Sequence, residues 1–292
     1  MKFFSFLLFD IVMLWGQECQ RPPAIASLIQ TSSFQALKRI PDVRRNAKAL
    51  QHLCVDKIAF REGGYQWEML LVTHPKASKG AFWFLPHDDE QTAFDAAVYA
   101  TQEYGGGFLA VIAKDHRSFA GQDPNRNFGD SIRTAQNCSK QHHPAPRYGR
   151  IIFGIIDTYR ASSMPYLALH NNKNGWYNNG GSGGVSMFKP SSIVHNYPAY
   201  RKIGTNGGLT DEDNLIYIAG TSQAPNQRKL NALLGQGLNI KYEVVSHAKN
   251  DCSLSNYVVL NRGTSRYYNI ETEHGALSTQ KKMIDKLMKL IK

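Results

Sequence analysis

The chain has 292 residues, of which 42% are hydrophobic, and its formal net charge at pH 7 is +11. This length and hydrophobic content allow a substantial buried core and argue against a disordered chain, and we find neither an internal repeat nor a low-complexity tract. The positive charge would suit a polyanionic partner, but the basic residues are spread out and no nucleic-acid-binding motif accompanies them, so we expect no nucleic acid partner.

The N-terminus predicts a secretory signal peptide over residues 1–19. Lys2 precedes an apolar run over residues 3–15, which is shorter than the roughly 20 residues that a membrane-spanning helix needs. We therefore expect an exported protein, either periplasmic or secreted, and its positive charge suggests weak association with anionic cell wall or membrane surfaces. Residues 20–64 are interpreted either as an N-terminal extension or as the start of the main domain.

The cysteine content agrees with export. The four cysteines, Cys19, Cys54, Cys138 and Cys252, fit a protein with one or two disulfides in an oxidising compartment. Four cysteines allow three complete pairings, and the sequence does not choose among them. Cleavage that removed Cys19 would leave one of the other three unpaired.

The hydrophobic pattern predicts strands that alternate with helices. Strands are predicted at 65–73, 81–85, 108–113, 166–169, 215–219, 242–245 and 267–272, and helices at 90–104, 229–238 and 277–292. Strands interleaved with helices are typical of an α/β sandwich around a mainly parallel sheet. Open sheets of this kind place their functional sites at the ends of the strands.

Side chains of the types that bind zinc follow two of these strands. His87 and Glu90 come just after the strand at 81–85, and His170 follows the strand at 166–169. A catalytic zinc takes three His or carboxylate ligands and leaves one position for water. Each residue also has an ordinary interpretation, since one H-x-x-E match occurs easily by chance and a lone His after an apolar strand is more often packed in the core. Their combination and order predict a zinc site.

Further polar groups would complete a hydrolytic site. Glu271 and Glu273 lie at alternate positions of the predicted last strand, so they share one face, and either could act as a general base. The segment 123–127, with the sequence DPNRN, supplies an arginine. The planar guanidinium fork of arginine suits a carboxylate ligand.

In these residues the chain resembles the zinc metallocarboxypeptidase family, which comprises the pancreatic-type carboxypeptidases and their bacterial relatives. The family pattern is H-x-x-E after a strand, then D-x-N-R-N, then a strand that ends in His, then a strand that carries Glu. All four occur in this order here. The resemblance implies a catalytic domain over residues 65–292, with a three-layer sandwich of a mixed, mainly parallel eight-stranded sheet flanked by helices.

The resemblance also implies roles for individual residues. It implies one zinc ion per chain, bound by His87, Glu90 and His170, and a hydrogen bond that the first histidine donates to Asp123 and that orients its ring. Glu271 would be the general base, and Glu273 is the alternative if the alignment slips by two residues.

The remaining roles concern the substrate. Asn125 and Arg126 would bind its terminal carboxylate, and Arg117, the nearest arginine upstream of them, would polarise the scissile carbonyl. Tyr257 is the candidate for a tyrosine that caps the substrate, although Tyr267 and Tyr268 compete for this role.

These roles imply a monomeric zinc carboxypeptidase, whose substrate is a peptide with a free C-terminal carboxylate. A cell-wall peptide is one candidate substrate for an exported enzyme. The alternative is a zinc-dependent deacylase of N-acyl amino acids, of the desuccinylase and aspartoacylase type. A non-catalytic binding protein is a third interpretation, but none of the expected ligands or bases is missing from the sequence.

Overall fold

Residues 19–292, which are the residues that the computed structural model describes, contain ten strands and ten α-helices. The strands are β1 (Ile29–Gln30), β2 (Cys54–Glu62), β3 (Tyr65–Thr73), β4 (Phe82–Leu85), β5 (Gly107–Val111), β6 (Tyr166–Asn172), β7 (Val194–Tyr197), β8 (Leu215–Gly220), β9 (Ile240–Val244) and β10 (Tyr267–Glu273). The helices are α1 (Pro23–Ala26), α2 (Phe34–Leu37), α3 (Pro41–Arg45), α4 (Ala47–Leu50), α5 (Gln91–Tyr104), α6 (Ile132–Asn137), α7 (Pro146–Tyr159), α8 (Gln227–Gly235), α9 (Leu254–Leu260) and α10 (Leu277–Ile291). The predicted signal peptide lies outside the described residues, except for Cys19.

All ten strands form one mixed sheet with the order β1-β2-β3-β5-β4-β6-β10-β8-β9-β7. The central pairs β5–β4, β4–β6 and β6–β10 are parallel, as is β8–β9, and the other pairs are antiparallel. The predicted α/β sandwich is therefore confirmed as a mixed sheet flanked by helices. The predicted number of eight strands and the mainly parallel character are wrong, because antiparallel strands extend the parallel centre on both sides.

Strand β2 is one of the strands that the sequence pattern does not predict, because its buried face carries charged residues. Asp56 and Glu62 are buried on the same face of the strand as Ile58, so the strand does not show simple alternation of apolar and polar residues. Both carboxylates have hydrogen-bond partners. Arg21 pairs with Asp56 at 2.8 Å, and the Glu62 carboxylate accepts hydrogen bonds from two backbone N–H groups at the start of α7.

The core forms two layers, one on each face of the sheet. Strand β4 is buried throughout: Trp83 faces the layer that contains α5, α8 and α10, and Phe82 and Phe84 face the layer that contains α7 and α9. A strand that is covered on both faces reads as a continuous apolar run, as this one does. None of the helices within residues 19–292 is long and apolar enough to cross a membrane.

Two disulfides join the four cysteines. Cys19 pairs with Cys54 and Cys138 pairs with Cys252. The first pair includes the last residue of the predicted signal peptide, so the bond can form only in a chain that keeps Cys19. The second pair joins the segment after the DPNRN motif to the loop before α9. Backbone hydrogen bonds from Phe128 to Cys252 and from Ser139 to Asn250 support the same connection.

Replacing Cys138 and Cys252 together with serine is expected to lower the free energy of unfolding by about 2–5 kcal/mol, because the bond closes a loop with a sequence separation of 114 residues. Urea unfolding of the variant and of the oxidised parent measures this difference. Alkylation of the parent before and after reduction provides the control, with no reactive thiol expected before reduction. Equal unfolding midpoints would show that the bond does not constrain the chain.

Candidate active site

Three neighbouring parallel strands bring the predicted site residues to one edge of the sheet. His87 and Glu90 lie between β4 and α5, His170 lies in β6, and Glu271 lies in β10 directly beside His170 in the strand register. The carboxyl ends of parallel strands meet at the same edge. This arrangement explains how residues far apart in sequence come together.

The side chains of His87, Glu90 and His170 converge on one point. Nδ1 of His87 lies 2.8 Å from Oε1 of Glu90 and 3.2 Å from Nδ1 of His170, and this last atom lies 3.2 Å from Oε2 of Glu90. Two nitrogens bound to a tetrahedral zinc at 2.0–2.1 Å would lie about 3.3 Å apart. All three residues are buried, and their ligand atoms lie within 4.8 Å of one another. The donor set and its spacing therefore fit zinc.

Asp123 contacts the other side of the His87 ring, where its Oδ1 lies 2.9 Å from Nε2. A carboxylate in this position fixes the orientation and the tautomer of a metal-binding imidazole. Burial lowers the pKa of His87, but Glu90 and Asp123 outweigh burial and raise that pKa to about 9. The same two carboxylates that stabilise a proton on this ring also favour a metal cation beside it.

The ionisation of the carboxyl groups follows from these contacts. Burial would raise the pKa of Glu90, but the two histidines hold that pKa well below its usual range. Burial would likewise raise the pKa of Asp123, whereas His87, Arg117 and Arg126 keep it low. Both groups are therefore ionised at neutral pH, as a metal ligand and its supporting carboxylate must be.

Two residues that were not predicted from the sequence, Asn171 and Gln280, support the metal-binding residues. The backbone N–H of Asn171 donates to Oε2 of Glu90 at 2.9 Å, and the side chain of Gln280 in α10 donates to the carbonyl of His170 at 3.0 Å. The Asn171 side chain accepts from the first turn of α5 and donates to Gln280. The sequence signal that identifies Asn171 is its place among the polar residues directly after the apolar part of β6.

Arg117 reaches the metal-binding cluster from a loop. Its Nη1 lies 3.1 Å from Oε1 of Glu90, and its side chain is half exposed. Asp88 shapes this loop, because its carboxylate accepts from the backbone N–H groups of Ala113 at 2.7 Å and Asp115 at 2.9 Å. Asp115 has a φ of 60°, in the left-handed region that residues other than glycine rarely adopt. Asp88 is thus a positioning residue for Arg117.

A cavity of about 240 Å³ adjoins the cluster, and Asn125, Arg126 and Glu271 line it. Glu271 accepts a hydrogen bond from the Asn269 side chain at 2.9 Å, and burial raises the pKa of its carboxyl group. None of the three metal-binding residues lines this cavity or the larger one of about 530 Å³ beside Lys229. Glu271 connects the smaller cavity to the cluster, because it lies directly beside His170 in the strand register. The smaller cavity is therefore the candidate substrate site.

Two predicted residues lie elsewhere. Tyr257 does not reach the cavity: it is packed in the core against Phe153, with ring centroids 4.2 Å apart, and its hydroxyl donates to Asp130 at 3.2 Å. The prediction of Tyr257 as a substrate-capping residue is therefore not supported by its position. Glu273 does not line the cavity either. Its carboxylate accepts a hydrogen bond from Asn174 at 2.7 Å.

The cavity has two other tyrosines in its wall. Tyr217 of β8 and Tyr267 of β10 both line it. Tyr267 was one of the competitors for the capping role, whereas Tyr217 was not identified from the sequence. Tyr268, the second competitor, contacts Lys229 through its ring and does not line this cavity.

No family model matches the chain, and no curated protein does. Solved structures similar to it include a protein from Shewanella amazonensis SB2B, provisionally named a metallopeptidase, with 14% identity, a TM-score of 0.46 and coverage of 90% of this chain and 98% of that one. A metallo-carboxypeptidase from Burkholderia cenocepacia is 11% identical with a TM-score of 0.44, and the matched region covers 86% of this chain and 68% of that one. A succinylglutamate desuccinylase/aspartoacylase from Rhodobacter sphaeroides is 13% identical with a TM-score of 0.41, and the matched region covers 82% of this chain and 65% of that one. Because these similarities are low, the chemistry of the site is inferred from the residues of this chain.

Proposed function

We propose that the chain is a zinc-dependent hydrolase, and specifically a carboxypeptidase that releases the C-terminal residue of a peptide. One observation carries this proposal. A buried set of metal-binding side chains adjoins a cavity that is lined by a carboxylate with a raised pKa and by an arginine. These groups are the ones required to hydrolyse an amide bond next to a free carboxylate.

His87, Glu90 and His170 would hold the ion. Zinc bound in such a site polarises a carbonyl group and lowers the pKa of a water molecule toward neutrality. Arg117, beside Glu90, can donate hydrogen bonds to the carbonyl oxygen as negative charge develops on it. Stabilisation of this charge lowers the activation free energy for the addition of water to the carbonyl group.

Glu271 would transfer the proton. It accepts a proton from the water whose oxygen bonds to the carbonyl carbon, and it delivers a proton to the amide nitrogen as the C–N bond breaks. The products are a shortened peptide and a free amino acid. Burial raises the pKa of this carboxyl group, which makes it a stronger base in its ionised form.

Arg126 and Asn125 would bind the terminal carboxylate of the substrate. Nε of Arg126 pairs with Asp251 at 3.1 Å and Nη1 donates to the carbonyl of Asn125 at 2.9 Å. These contacts hold the guanidinium group in the cavity wall. Its remaining N–H donors are available to a carboxylate, and an arginine held in this way recognises such a ligand with defined geometry.

The first experiment combines zinc content with a substrate panel of ordinary peptides, murein peptides and N-acyl amino acids, with and without a chelator. We expect one equivalent of zinc and chelator-sensitive release of C-terminal residues. Faster release from murein peptides would support an exported, cell-wall role. Turnover of N-acyl amino acids alone would instead assign the deacylase activity, and absence of zinc would overturn the proposal.

Replacing Arg126 with alanine is expected to lower kcat/KM for a free-acid peptide by about 100-fold, mainly through KM, because a charge-paired contact to the substrate is lost. The C-terminally amidated form of the same peptide should be affected much less. The matched control is Arg133→Ala, which removes an exposed arginine in α6. Equal losses for the acid and the amide would exclude a carboxylate-binding role.

A further inference from the structure

The wall of the candidate substrate cavity contains more acidic groups than the proposed reaction uses. Besides Glu271, the cavity is lined by Glu243, at the end of β9, and by Asp251, in the loop before α9. Neither belongs to the metal-binding cluster, and neither has a role in the proton transfer.

Glu243 is held firmly in this wall. Its Oε2 accepts a hydrogen bond from the Ser255 hydroxyl at 2.8 Å, and its Oε1 accepts one from the Asn256 side chain at 2.9 Å. These neutral donors orient the carboxylate but do not neutralise it. Within residues 19–292, no side-chain nitrogen of a lysine, arginine or histidine lies within 4.0 Å of the Glu243 carboxylate oxygens.

Substrate binding would make the charge imbalance larger. Arg126 already pairs with Asp251 at 3.1 Å, and the terminal carboxylate of a peptide would bind to the same guanidinium group. One cation would then serve two carboxylates, while Glu243 would have no cationic partner. A partly desolvated carboxylate without a counter-charge is unfavourable, and a positive charge on the substrate side chain would remove this cost.

The other wall suits the stem of a long basic side chain. Val185, Ile193 and Val194 line the cavity together with Tyr217 and Tyr267. Lysine and arginine pack their methylene groups along apolar surfaces and direct their charged ends to polar groups. The volume of about 240 Å³ is adequate for one such side chain.

We propose that this cavity selects a C-terminal residue with a cationic side chain, such as lysine, arginine or another diamino acid, and that Glu243 is the principal specificity residue. This inference rests on the proposed carboxypeptidase function and names its substrate class. Asp251 has a secondary role, because its pairing with Arg126 offsets part of its charge.

The test uses N-acetylated tripeptides that end in Lys, Arg, Leu or Glu and differ only in that residue. We expect kcat/KM for the Lys and Arg peptides to exceed that for the Leu peptide by on the order of 100-fold, with the Glu peptide slowest. Glu243→Gln should remove most of the preference for Lys over Leu. Glu103→Gln, which removes an exposed carboxylate of α5, is the matched control and should keep the preference unchanged.

A second measurement needs no variant. Inhibition of the unmodified enzyme by free lysine is compared with inhibition by norleucine, which has a similar chain without the ammonium group, and lysine should bind more tightly. Equal inhibition, or a Lys-to-Leu ratio near one in the peptide series, would overturn the inference while leaving the carboxypeptidase function intact. Release of no residue from any of the four peptides would instead overturn the proposed function, and the inference with it.

Discussion

Replacing Glu271 with glutamine is expected to leave zinc bound and to lower kcat by about 10²–10⁴-fold. Glutamine keeps the shape of the side chain and its contact with Asn269, but it cannot accept the proton of the attacking water. General bases contribute a factor of this size. Because Glu271 does not belong to the convergent metal-binding set, the metal content should stay at one equivalent.

The comparison with Glu273→Gln makes this prediction specific. Glu273 lies two residues further along β10 and its carboxylate contacts Asn174 rather than the cavity, so its replacement should reduce kcat only slightly. Steady-state kinetics and metal analysis of both variants decide between the two residues. If Glu273→Gln loses activity and Glu271→Gln keeps it, Glu273 is the base.

Replacing His170 with alanine is expected to abolish stable zinc binding. The change removes one of three ligands, and the loss should exceed the roughly 10–100-fold that is typical for removing only a supporting partner. Activity should fall with zinc occupancy. Metal analysis after dialysis against a weak chelator measures the effect, and His52→Ala, at an exposed position, is the matched control.

Thermal unfolding gives this second prediction a readout that does not depend on activity. A ligand present at 100 times its dissociation constant stabilises the folded state by about 2.7 kcal/mol. Zinc should therefore raise the unfolding temperature of the parent and of His52→Ala, but not that of His170→Ala. An equal rise in all three proteins would mean that zinc binds elsewhere.

The parallel centre of the sheet and the residues at its edge were the most predictable parts of the molecule. Strands covered on both faces give continuous apolar runs, and β4 (Phe82–Leu85) lies within the strand predicted at 81–85. Polar residues placed directly after such runs then identify the edge of the sheet. His87 and His170 are recognisable for this reason.

Helices α7 and α9, which the hydrophobic pattern does not predict, have weak local sequence signals. In α7, Gly149 and Gly154 interrupt a segment rich in isoleucine, and both features lower intrinsic helix propensity. In α9, valine and tyrosine favour a strand, but Ser253 accepts a hydrogen bond from the backbone of Asn256 and starts a helix. Packing against the sheet decides both cases, and local sequence does not contain that information.

The tyrosine predicted to cap the substrate, Tyr257, lies outside the cavity for a related reason. The chain has 14 tyrosines, and their positions in the sequence do not separate core residues from cavity residues. The helical turn of α9 directs Tyr257 toward Phe153, whereas Tyr217 faces the cavity from a strand. Because the sequence does not predict α9 as a helix, it does not predict which way the Tyr257 side chain points.

The Cys138–Cys252 bond links the oxidation state of the protein to the integrity of the cavity wall. It connects the segment that follows Arg126 to the loop that contains Asp251, so it joins the two parts of the chain that pair across the cavity wall. His87 and Glu90 lie outside the loop that this bond closes, whereas His170 lies inside it. Reduction of the bond is therefore expected to loosen the cavity wall directly and the metal centre only through His170.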